Sequence, residues 1–192
     1  MKKFFLLLAS MLMAVSATFA QSTEETEAEL KAQLDKNGNL TFKCIIDSLN
    51  MSKDELYQRV YDYFVYTYGD AQEVFQKTDK EAGIIIGKGI YASITPTIWR
   101  CDAWHITRVD IKDNRIRILI SILKYKIGGG QGDREFLISN VYPFSDRTYG
   151  MTRNMWLKIH NHAHMKANAN IAGIRKAVTE GMTNNEDANE DW

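Results

Sequence analysis

Residues 98–125 read IWRCDAWHITRVDIKDNRIRILISILKY, two β-rich runs joined at Asp113-Asn114. Branched and aromatic side chains favour extended chain, and Asp-Asn tolerates the positive φ that a two-residue hairpin loop demands. Such a loop fixes the register. It sets Lys112 opposite Arg115, Ile111 opposite Ile116, Asp110 opposite Arg117, Val109 opposite Ile118 and Thr107 opposite Ile120. Side chains alternate across a strand, so Asp110–Arg117 falls on one face and the mostly apolar pairs on the other. A bulge further along would shift this pairing. Extended without one, it puts Trp104 opposite Leu123, Ile106 opposite Ser121, Arg108 opposite Leu119 and Asp102 opposite Tyr125, all on the Asp110–Arg117 side.

Upstream, Leu40, Phe42, Cys44 and Ile46 alternate with Thr41, Lys43 and Asp47, which predicts a half-buried strand. Ser52 followed by Glu55 forms a capping box, and Leu56, Val60, Phe64 and Thr67 then follow at helical spacing to Gly69. Val74 to Thr78 predicts a short strand, Asp79–Gly83 a turn, and Ile84 to Ile94 a longer strand interrupted by Gly87 and Gly89. Downstream of the hairpin come the Gly128–Gly132 loop and an irregular stretch through Tyr142-Pro143-Phe144. A long helix follows from Thr152 to Glu180, with Trp156, Ile159, Ala163, Ala167, Ile174 and Val178 as its stripe and Gly181 as its stop. The order β-α-β-β-β-β-α predicts an α+β domain: a five-stranded antiparallel curved sheet with two helices packed on one face.

The chain ends set the expected address. Lys2 and Lys3 precede an apolar run from Phe4 to Val15 and then Ala17-Thr18-Phe19-Ala20, the pattern of a signal peptide cleaved before Gln21. The apolar run is too short for a membrane span, and no cysteine near the cleavage point offers an acyl anchor, so a soluble periplasmic or extracellular protein is expected. Residues 21–38, rich in Glu and Ala, read as a leader outside the core; residues 39–182 form the domain. Residues 183–192 read as a disordered acidic tail. The full chain carries 24 basic and 24 acidic residues; removing residues 1–20 takes away two lysines and leaves 22 against 24, a poor balance for a nucleic-acid partner.

Three further stretches carry a family resemblance: Asn50 through Tyr57, Asp79-Lys80-Glu81-Ala82-Gly83 leading into Ile86-Gly87-Lys88-Gly89, and the Asp110–Arg117 hairpin. Over residues 40–127 the chain resembles an exported bacterial family described only as a domain of unknown function with a TATA-binding-protein-like fold. The resemblance implies helices over a curved sheet and carries no activity with it. The family's fold name does not imply DNA binding for an exported, slightly acidic chain.

Candidate chemistry is sparse. In an oxidising compartment Cys44 and Cys101 could bridge; otherwise they are buried thiols serving as small apolar residues. His160, His162 and His164 resemble a metal cluster in the flat sequence, yet on a helix only His160 and His164 share a face, and Asn161 stands where a zinc protease needs Glu. The wheel puts His160 on the apolar stripe and His164 at its edge, which favours packing over ligation. Neither Gly128-Gly129-Gly130-Gln131-Gly132 nor Ile86-Gly87-Lys88-Gly89 has nucleotide-binding spacing, and no Gly-x-Ser-x-Gly elbow is present. Cys101 and His105 stand too far apart along one strand to form a dyad. No metal, cofactor or catalytic residue is therefore assigned.

The uncovered sheet face is more informative. A solvent-facing surface has no need to carry Trp104, Ile106, Leu119, Leu123 and Tyr125 together, and Gly87 and Gly89 on the next strand leave room for an aromatic ring. These five residues form the candidate partner surface, for an envelope protein or a second copy of the chain. The leader, the acidic tail or a dimer mate could equally cover it. A hydrolase or metal enzyme using His160, His164 or His105 is the alternative from another class, and a small-ligand carrier is a third.

Overall fold

A computed structural model describes residues 23–68, 74–95, 100–128, 132–142 and 147–182. In chain order the elements are α1 (Thr23–Ala32), β1 (Leu40–Ile46), α2 (Lys53–Tyr68), β2 (Phe75–Asp79), β3 (Ile84–Tyr91), β4 (Cys101–Lys112) and β5 (Arg115–Ile127). They continue with β6 (Arg134–Leu137), the single turn α3 (Ile138–Val141), the small β7–β8 ladder (Arg147–Thr148, Met151–Thr152) and α4 (Arg153–Glu180). The predicted signal peptide and acidic tail lie outside the described residues.

The sheet is antiparallel throughout, in the order β1-β5-β4-β3-β2, with β6 added beside the far half of β5. Asn114 takes a φ of 64° in the two-residue loop, and the five pairs expected around it are all present. Because β1 and β2 stand on opposite edges, α2 crosses the whole sheet between them. It lies beside α4 on one face, and Arg59 Nη1 donates to the Val178 carbonyl at 3.0 Å.

The core forms where the two helical stripes meet the strand positions that face them, odd-numbered on β3 and β4 and even-numbered on β1 and on β5 as far as Ile122. Ile85, Val109, Ile118, Ile120 and Ile122 are fully enclosed, as are Leu56, Val60 and Phe64 of α2 and Trp156, Ala163, Ala167 and Ile174 of α4. Each large aliphatic side chain contributes about 1.5–3 kcal/mol on leaving water. The helix starts are capped as expected: Ser52 Oγ accepts from the Glu55 amide at 3.2 Å and Thr152 Oγ1 from the Met155 amide at 3.3 Å. Gly181 ends α4 at a φ of 81°.

Three features depart from the sequence reading. Part of the stretch expected to be irregular after Gly132 supplies β6, a sixth strand, whose Phe136 stands opposite Tyr125 and packs edge-on against Trp156. The leader joins the domain: α1 lies on α4, Leu30 is buried, and Glu27 pairs with Arg153. Asp35 Oδ1 accepts from the Asn37 and Asn39 amides, turning the chain from α1 into β1. The Cys44–Cys101 bridge is ruled out by register. Cys44 lies opposite Ile118 and Cys101 opposite Ile127, on strands flanking β5 and roughly 30 Å apart along it, against the ~7 Å a disulfide tolerates. Both thiols are free, and burial pushes that of Cys101 up to about 12.

Candidate functional site

The face of the sheet turned away from α2 and α4 is a lattice of cross-strand rows. One row runs Asp79, Ile84, Asp110, Arg117, Ile45, and the next Lys77, Ile86, Arg108, Leu119, Lys43. Then come Lys88, Ile106, Ser121, Thr41, followed by Ile90, Trp104, Lys124, Leu137. Apolar and charged groups are therefore interspersed over this face, and the Lys77, Ile86, Arg108, Leu119, Lys43 row alternates strictly.

Trp104 anchors this face. Lys88 Nζ and Lys124 Nζ each lie 5.0 Å from its ring centroid, so the indole is held between two ammonium groups. Each contact is worth about 0.5–1 kcal/mol at a solvated site. Ile106 and Leu119, named from the sequence, stand on the same face and are half-buried. Asp110 receives both Arg108 and Arg117, each at 2.7 Å. Burial alone would raise its carboxyl pKa, but the two guanidinium groups outweigh that and hold it below the usual range.

Tyr125 and Leu123 do not occupy their expected places. The ladder slips between Trp104 and His105: His105 pairs with Ile122, Trp104 with Lys124, and Leu123 is the extra residue of a bulge. One inserted residue inverts the parity of all that follows. Asp102 accordingly faces Lys126, and Tyr125 turns to the helix side, where it is fully buried with its hydroxyl 2.7 Å from His160 Nδ1. The open face gains Lys124 in exchange.

The glycines of β3 also serve the covered side. A Cβ on Gly87 would stand 2.4 Å from Phe64 Cε1, and one on Gly89 2.7 Å from His105 Cε1. Aromatic rings do lie across this backbone, but they belong to the domain's own core. The residues missed by sequence reasoning are Ile84, Ile86, Lys88 and Ile90; their strict alternation with Ile85, Gly87, Gly89 and Tyr91 was the available signal.

The histidines are spread among separate contacts. His160 meets Tyr125, His164 stacks on Phe42 at 4.9 Å, and His162 Nδ1 lies 2.8 Å from the Lys158 carbonyl. His105 stacks on Tyr91 at 3.8 Å, and its Nε2 is 3.2 Å from the Tyr68 hydroxyl. That hydroxyl accepts from Asn170 Nδ2, as does that of Tyr91, while Tyr63 donates to Asn170 Oδ1 at 3.0 Å. Burial depresses His105 to about 4 and raises Tyr63 to about 12, so this cluster is neutral at pH 7 and serves to register α2 against α4. Among the described residues no three His, Cys, Asp or Glu side chains converge on a common point, and no helix is long and apolar enough to cross a membrane.

This architecture, helices over one face of an open antiparallel sheet, is the TBP-like α+β class. Residues 42–126 match the model of the family described as a domain of unknown function (DUF4468) with TBP-like fold, which shows the resemblance read over residues 40–127. A TBP-like protein from Parabacteroides distasonis ATCC 8503 has a similar structure, with a TM-score of 0.61 at 16% identity over 77% of this chain and 97% of that one. A DUF4468 family protein from Bacteroides ovatus ATCC 8483 gives 0.58 at 12% identity, over 75% and 88% respectively. At such identities the likeness is one of fold. No curated protein matches the chain.

Proposed function

We propose that the protein is an exported, non-enzymatic binding domain that contacts an envelope protein or a second copy of itself through the open sheet face. The setting of Trp104 carries this reading. A sheet surface facing only water gains little from holding an indole, two flanking lysines and the isoleucines at 86, 90 and 106 in register. Both long helices pack on the opposite side. Export rests on the basic, apolar and small-residue order of residues 2–20. The histidines that would serve a hydrolase or metal enzyme are engaged in packing contacts instead.

The test is capture from envelope extract by residues 21–192, wild type beside Trp104→Ala, with sedimentation of both proteins to detect self-association. A partner or dimer lost only in the variant supports the reading. Two folded, monomeric proteins with identical empty eluates would overturn it.

A further inference from the structure

We infer that the partner of this face is an acidic segment of another protein; this rests on the binding reading above and adds the partner's chemistry. The carboxylates at strand positions on the face are Asp79, Asp102, Asp110 and Glu135, and each already has a cation: Lys77 at 3.4 Å, Arg100 at 3.0 Å, Arg108 and Arg117 at 2.7 Å, and Lys124 at 2.7 Å. Lys43, Lys88, Lys112 and Arg115 share the face, and none has a carboxylate of the described residues within 4.0 Å. Because the whole chain is formally neutral, this surplus is local to the face.

Two of the unmatched cations stand in an unfavourable relation. Lys112 and Arg115 are direct cross-strand neighbours, and like charges so placed destabilise a hairpin. An anionic partner would relieve that repulsion. The exposed ammonium of Lys88 lies over Trp104, so a carboxylate reaching it would rest beside the indole. From the row of Lys88 to that of Lys112 is six residues of β4, about 20 Å at ~3.4 Å per residue. An extended acidic segment of roughly seven residues spans that distance, its apolar side chains meeting Ile86, Ile106 and Leu119 along the path, with Trp104 one row beyond its Lys88 end. A nucleic acid fits less well, because the isoleucines set among the cations offer its phosphates nothing, whereas they match the apolar side chains of a peptide.

The probe is a dye-labelled peptide of about nine residues alternating Glu and Leu, long enough at ~3.3 Å per residue to cover the path, followed by anisotropy with chain 21–192. Its Lys-Leu counterpart and a thymidine oligonucleotide of equal length serve as comparisons. The Glu-Leu peptide is expected to bind, to weaken by about tenfold or more in Lys88→Glu, and to weaken as salt rises. Lys166→Glu, an exposed change on α4, is expected to alter nothing. No binding, equal binding of either comparison probe, or equal losses in the two charge reversals would overturn the inference. So would a tenfold gain on exchanging Glu186, Asp187, Glu190 and Asp191 for their amides, which would make the chain's own C-terminal residues the occupant. If Trp104→Ala loses its envelope partner while the Glu-Leu peptide fails to bind, the binding reading stands and the acidity of the partner falls.

Discussion

Tyr125→Ala beside Trp104→Ala puts the bulge at Leu123 to a quantitative test. Tyr125 is fully enclosed under α4, so deleting its ring removes a large buried side chain, a loss of about 3–5 kcal/mol. The hydroxyl beside His160 Nδ1 goes with it, and a buried hydrogen bond lost in this way costs about 1–3 kcal/mol more. Trp104 is only half-buried, and its two lysine contacts are worth about 0.5–1 kcal/mol each. For a chain of this size one kcal/mol shifts Tm by about 2–4 °C, so Tyr125→Ala is expected to lower Tm by about 10 °C or more and Trp104→Ala by about 2–8 °C. Thermal and guanidinium unfolding followed by far-UV circular dichroism reads both. Equal losses, or a larger loss at Trp104, would return Tyr125 to the open face and refute the inverted parity.

Three other outcomes follow from the same structure. His105 and His160, depressed by burial to about 4 and about 3 from 6.5, are neutral when folded and take up a proton only on unfolding. Their stabilisation is complete above pH ~6.5 and is lost as pH falls towards 4, at about 1.4 kcal/mol per pH unit for each; His160→Gln should remove about half of that slope in Tm, and an unchanged slope would count against it. Gly83→Ala, at a φ of 66° with a Cβ that would stand 2.3 Å from the Ile111 carbonyl oxygen, should destabilise more than Gly89→Ala. The Gly89 substitution meets movable rings and should cost about 1–3 kcal/mol, with urea midpoints giving the order. Thiol titration of unreduced protein should find two reactive thiols after unfolding, and a value of zero would restore the bridge.

The strands, the capped helices and the core register were legible because they rest on local rules: a two-residue loop, a capping serine, a period of 2 or 3.6. The bulge was not legible because nothing about Leu123 distinguishes it from its neighbours; the slip is decided by what β4 and β6 present to β5. For the same reason Trp104, Ile106 and Leu119 were placed on the correct face while Tyr125, beyond the slip, was not. The four residues of β6 are too few and too polar to announce a strand, and they pair only because β5 runs past the end of β1. Leu30 lies in a stretch dominated by Glu and Ala, and its burial depends on a surface that α4 supplies more than a hundred residues later.

The most direct test of the open face as a partner surface is photo-crosslinking in the producing cell. A photoreactive residue would replace Ile90, opposite Trp104 on the open face, or Lys158 on the exposed side of α4. A discrete cross-linked species from position 90 and none from position 158 is the expected result. Cross-links from position 158 with none from position 90 would place the working surface on the helices and contradict the account.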